Sequence, residues 1–130
     1  KARDGISESL FWGYSSSLPV AKFDNMVYDT IALNTNGIKT ELEKLDDFTV
    51  MTSSSTRDSL RTVNNSIRDK MPANVNLMTY TYDPGIGMTS TTDTNGIATY
   101  YVYDVHGRLE YIRDNNWDIL KKYIYNYYED

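Results

Sequence analysis

A repeat constrains this chain more than any other feature. Tyr80-Thr81-Tyr82-Asp83 returns as Tyr101-Val102-Tyr103-Asp104 and again as Tyr123-Ile124-Tyr125-Asn126, at steps of 21 and then 22 residues. A second Asp follows the first by 10 residues in two of these units, Asp83 to Asp93 and Asp104 to Asp114. Each unit therefore reads as strand, turn, strand, turn. Met78, Tyr80 and Tyr82 alternate with Thr79 and Thr81, and Ile97, Thr99, Tyr101 and Tyr103 alternate with Ala98, Tyr100 and Val102. A period of two gives a strand two unlike faces. The turns Asp93-Thr94-Asn95-Gly96 and Asp104-Val105-His106-Gly107 open with a carboxylate that can accept backbone N–H groups and close on a Gly that tolerates positive φ. Asp114-Asn115-Asn116-Trp117 departs from this, because Trp117 stands where the Gly would be. A Trp at positive φ is strained, so a reshaped turn is expected there, with Asn116 taking the left-handed position. A unit this small cannot bury an aromatic face alone, so neighbouring units must pair.

Upstream, the pattern differs. Leu10 to Tyr14 and Val20 to Phe23 read as a short hairpin around a polar loop. Tyr28, Ile31 and Ala32 fall on helical spacing from about Asn25, and Ile38, Leu42 and Leu45 mark a second helix. The clearest helix spans Ser55 to Met71: Leu60, Val63, Ile67 and Met71 form one apolar stripe, and Arg57, Asp58, Arg61, Arg68 and Lys70 take the other face. Ser53, Ser54 or Ser55 would cap it, and Pro72 would stop it. The expected fold class is α+β: a short N-terminal hairpin and two to three helices packed on an antiparallel β-meander of four to six strands. The hairpin and helices occupy residues 1–76 and the repeats 77–130, in one compact unit.

The tyrosine-aspartate step, the run Asp93-Thr94-Asn95-Gly96-Ile97, and Val105-His106-Gly107-Arg108-Leu109 followed by Ile112-Arg113-Asp114 resemble the YD-repeat, or RHS-repeat, family of bacterial secreted and cell-surface proteins. Phe11-Trp12-Gly13-Tyr14 and Pro19-Val20-Ala21-Lys22 resemble a segment that precedes such repeats. The resemblance covers about the last 50 residues and implies a C-terminal piece of a larger secreted or cell-surface β-rich protein, with upstream repeats as its partner. Lys1 as first residue agrees with a longer parent product. It implies no catalytic residues. Because the repeat is incomplete, an open sheet edge is expected to self-associate or to pair with the upstream repeats.

Composition narrows the function classes. A chain of 130 residues has room for one domain, and no stretch approaches the ~20 apolar residues of a membrane span. There is no Cys, hence no disulfide framework. Residues 78–130 hold 4 basic and 8 acidic residues and ten of the twelve Tyr, a balance that would repel a phosphate backbone, so nucleic acid is not an expected partner.

Candidate chemistry is sparse, and no catalytic, cofactor or metal site is expected. His106 is the sole imidazole and sits in a turn without nucleophile or zinc-site context. Asp114, Asn116 and Asp118 match the first positions of a calcium loop, but Ile119 and Tyr125 occupy its Gly and Glu positions. Arg108 and Arg113 are expected to pair with Asp104 and Asp114. The candidate binding face is tyrosine: Tyr80, Tyr82, Tyr101, Tyr103, Tyr111, Tyr123 and Tyr125. Such a row builds the sheet through cross-strand aromatic pairs, stacks against a carbohydrate or other ligand, or forms a protein-binding face. The first and last alternatives make the chain a non-catalytic structural or interaction module, the second a carbohydrate-binding one.

Overall fold

The computed structural model describes residues 8–15, 17–24, 37–49, 53–71 and 75–125. In chain order the elements are β1 (Glu8–Gly13), β2 (Leu18–Asp24), α1 (Ile38–Glu43) with a 3₁₀ turn over Lys44–Asp47, α2 (Ser54–Asp69), β3 (Asn76–Asp83), β4 (Gly87–Thr92), β5 (Ala98–Tyr103), β6 (Leu109–Arg113) and β7 (Ile119–Lys122). The strands form one seven-stranded antiparallel sheet in sequential order. The chain is a mixed α+β meander. Its N-terminal hairpin is no separate piece: Ala21 to Asp24 of β2 pair with Thr79 to Asn76 of β3, so the sheet crosses the expected boundary at residue 77. The helix expected from Asn25 lies outside the described residues. No helix among the described residues is long and apolar enough to cross a membrane.

Register assigns the faces. Thr79 lies opposite Thr92, Thr92 opposite Ala98, and Thr81 opposite Ser90, which lies opposite Tyr100. These residues are all buried, on the face that carries α2. The other face holds Tyr80 opposite Thr91 opposite Thr99, then Tyr101 opposite Ile112 opposite Lys121. Hence the helix covers the threonine side of the repeat and leaves Tyr80 and Tyr101 on the far side.

The α2 stripe forms as its spacing requires. Ser53 caps the helix, its hydroxyl accepting from the Thr56 N–H at 3.4 Å. Leu60 and Ile67 are buried with Phe11, Phe23, Ile38, Leu42, Leu45 and Leu77, and Val63 and Met71 pack at the margin. Each fully buried Leu or Ile contributes roughly 1.5–3 kcal/mol. Within that stripe Asn64 is also buried, at 2 % exposure. It is satisfied by the threonine face: Thr79 Oγ1 donates to its Oδ1, and its Nδ2 donates to Thr92 Oγ1 at 3.3 Å.

Replacing Asn64 by Ala strands two buried hydroxyls, so N64A is expected to lose about 1–3 kcal/mol of unfolding free energy in urea. Its exposed neighbour Asn65→Ala is expected to change less than about 0.5 kcal/mol.

Candidate functional site

Three bulges interrupt the sheet at one end. Phe11 pairs with Ala21 but Trp12 pairs with Pro19, which leaves Val20 as an extra residue in β2. In the same way Thr89 is extra in β4 and Glu110 in β6. On the opposite side of each bulged strand the ladder resumes only after the bulge, at Ala21, Ser90 and Tyr111. The carbonyl just before each bulge residue therefore has no strand partner from the next strand, and a backbone carbonyl left without one is costly.

Tyrosine supplies that partner in all three places. Tyr82 Oη donates to the Pro19 carbonyl at 2.7 Å, Tyr103 Oη to Met88 at 2.8 Å, and Tyr125 Oη to Leu109 at 2.7 Å. Pro19, Met88 and Leu109 immediately precede Val20, Thr89 and Glu110. The second Tyr of every repeat thus locks the bulge of the preceding strand. The fit is close at Gly87: a Cβ there would lie 2.6 Å from Tyr103 Oη, at a φ of +154°. Burial raises the phenol pKa of Tyr103 and pushes that of Tyr82 up to about 12, so both hydroxyls keep their protons. Tyr14 packs edge-on against Tyr82 at 5.7 Å, and its hydroxyl accepts the Tyr82 N–H at 3.0 Å.

The turns form a second repeated device. Asp93 Oδ1 accepts from the Asn95 and Ile97 N–H groups, Asp104 Oδ1 from His106 and Arg108, and Asp114 Oδ1 from Asn116 and Asp118, all at 2.8–3.0 Å. The Asp104 carboxyl is held below the usual carboxylate range, chiefly by the Arg108 N–H. Arg108 also forms the expected ion pair with it at 3.1 Å. Each third residue is left-handed: Gly96 at φ +84°, Gly107 at +78° and Trp117 at +70°. The expectation of a reshaped turn at Trp117 is overturned, since the tryptophan itself takes the strained conformation. The Asp114 bonds dictate the same backbone, and Asn115 Oδ1 fastens the turn by accepting the Ala98 N–H at 3.1 Å. The ring is held as well. Its centroid lies 5.4 Å from Tyr100, 4.0 Å from the Arg57 guanidinium and 4.6 Å from that of Arg113. Such contacts, at about 0.5–1.5 kcal/mol each, outweigh a left-handed cost of roughly 1–2 kcal/mol.

One arginine assignment changes. Arg113 does not pair with Asp114; its Nη1 donates to the Trp117 carbonyl at 2.8 Å. From α2, Arg57, Arg61 and Arg68 reach the turns, Arg61 while remaining exposed. Arg61 donates to the Asn115 carbonyl at 3.3 Å, and Arg68 to the Thr94 carbonyl at 3.2 Å and to the Asp93 carbonyl. Arg68 has its pKa lowered by burial.

The expected tyrosine face is divided. Tyr82 is buried, Tyr125 is 38 % exposed and the other candidates are half-buried. Tyr80 and Tyr101 share the far face, whereas Tyr111 stands opposite Val102 on the face that carries α2. Sequence reasoning missed Tyr100, at 2 % exposure the most deeply buried of the described tyrosines, although its place among the alternating residues of β5 was the available signal. Asp93, Asp104 with His106, and Asp114 belong to three separate turns, and among the described residues no group of three or more metal-ligating side chains converges. A small polar cleft between α2 and the sheet, lined by Arg61, Asn64, Tyr100 and Asn115, has room for about one water and not for a sugar ring. No family model, curated protein or solved structure matches the chain.

Tyr82 is neutral in the fold with its pKa raised from 10.0 to about 12, so its contribution is complete below pH 10 and lost as the pH rises towards 12. Denaturant midpoints measured across that window are expected to fall in the wild type and to fall less steeply in Tyr82→Phe.

Proposed function

We propose that the chain is a non-catalytic structural or interaction module of a large bacterial secreted or cell-surface protein of the RHS type, built from YD-type repeats. One observation carries the reading: the second tyrosine of each repeat directs its hydroxyl to the carbonyl before a bulge, at Pro19, Met88 and Leu109. A side chain engaged with its own sheet at each repeat is a building part. The Asp turns support the same reading, because each carboxylate is taken up by its own turn and none converges with another on a reacting group. Upstream repeats of the parent chain are the natural neighbours of such a module.

A second reading, carbohydrate binding, draws on the first tyrosine of the repeat. Tyr80 and Tyr101 lie on the far face from α2, and their hydroxyls make no hydrogen bond to a described residue. Rings of this kind combine an apolar body with a polar tip.

Tyr103→Phe separates the two. On the structural reading it lowers unfolding free energy by about 0.5–1.5 kcal/mol, the contribution of one hydrogen bond, and alters no glycan-array signal. A stability-neutral Tyr103→Phe, together with glycan binding that disappears in Tyr80→Ala or Tyr101→Ala, would establish the carbohydrate reading instead. Surface placement is tested by protease treatment of intact cells that express the full-length protein, which is expected to degrade this region.

A further inference from the structure

The sheet ends in two edges of opposite character. The outer strand β7 is four residues long and carries Lys121 and Lys122, and Leu120 is an extra residue between the pairs Ile112–Lys121 and Arg113–Ile119. Shortness, lysine and a bulge are the devices by which sheets block further pairing. β1 has none of them. It runs for six residues, the bulge beside it belongs to β2, and no Lys, Arg or Pro lies between Ser9 and Gly13. Its alternation is clean: Ser9, Phe11 and Gly13 are buried, whereas Leu10 and Trp12 are 40 % and 47 % exposed on the far face. Among the described residues no strand pairs with its outer side.

We propose that β1 pairs antiparallel with β1 of a second copy, about a two-fold axis through Phe11. Leu10 and Trp12 are symmetric about Phe11, so in this register Leu10 of each copy faces Trp12 of the other and Phe11 faces its own equivalent. The two exposed apolar side chains cover each other in two aromatic–aliphatic cross-strand pairs, and no like charges are opposed. Such an interface is self-complementary and closes at two copies. The competing pairings are poorer. Joining β7 to β7 brings Lys121 and Lys122 against the same lysines across a bulge. Joining β7 to β1 with the helices on one side gives a parallel pair, because β1 and β7 run in the same direction after six antiparallel steps. A ladder of this length buries less than a standard interface, so the dimer is concentration-dependent.

Sedimentation equilibrium of the whole chain over a wide concentration range tests the proposal. The wild type is expected to show a reversible monomer–dimer equilibrium. Trp12→Lys and Leu10→Lys, both exposed positions, are expected to be monomeric with unchanged far-UV circular dichroism, whereas Lys121→Glu dimerises like the wild type. A wild type that stays monomeric throughout, a dimer that persists in whichever lysine variants fold, or a dimer abolished by Lys121→Glu would each overturn the proposal.

Discussion

A phenol donating to a carbonyl beside a bulge is the interaction on which this sheet depends. Each bulge interrupts the ladder on the far side of its strand, and the carbonyls of Pro19, Met88 and Leu109 would otherwise be left without a partner from the next strand. The second tyrosine of each repeat, at or just beyond the end of the next strand, supplies the bond at 2.7–2.8 Å in every case. The requirement explains the spacing. The hydroxyl has to arrive once per pair of strands, and two strands with their two turns take 21 or 22 residues. Burial, which raises the pKa of Tyr82 and Tyr103, serves the same bond, since an ionised oxygen could not donate.

The opposite end of the sheet is held differently. There α2 reaches down with Arg57, Arg61 and Arg68, one helical stripe, and binds the Asp93 and Asp114 turns through their carbonyls and the Trp117 ring. Asn64 lies within the apolar stripe and sets the helix over Thr79 and Thr92. A purely apolar stripe would allow α2 to slide along the threonine face; the amide's two hydrogen bonds fix one position. The left-handed Trp117 belongs to the same arrangement, since its ring lies between helix and sheet only if the Asp114 turn takes the backbone that a glycine would normally occupy.

Period and turn chemistry made the meander and its Asp turns legible in the sequence, and the α2 stripe was legible from Leu60 and Ile67. The tyrosine period announced a sheet but not its mechanism, because a bulge such as Val20 or Thr89 leaves no local signature: it is fixed by pairing across strands. For the same reason the seven tyrosines looked like one face and are not. Trp117 was misread because local backbone preference was weighed without Tyr100, Arg57 and Arg113, which lie near it only once the chain has folded. The reach of Arg61 and Arg68 to the turns was hidden for an equivalent reason, as their acceptors are main-chain carbonyls and so have no residue type to betray them.

Val20, Thr89 and Glu110 all add length at the same margin of the layer, the one that holds the β1–β2 turn, Gly85 and Gly107. A surface that gains material along one rim on every other strand cannot remain a flat rectangle; it must splay or roll, as a knitted strip does when stitches are added on one side. Bulges bend their strands and add twist, so the described sheet is curved along that rim by the count of residues in β2, β4 and β6.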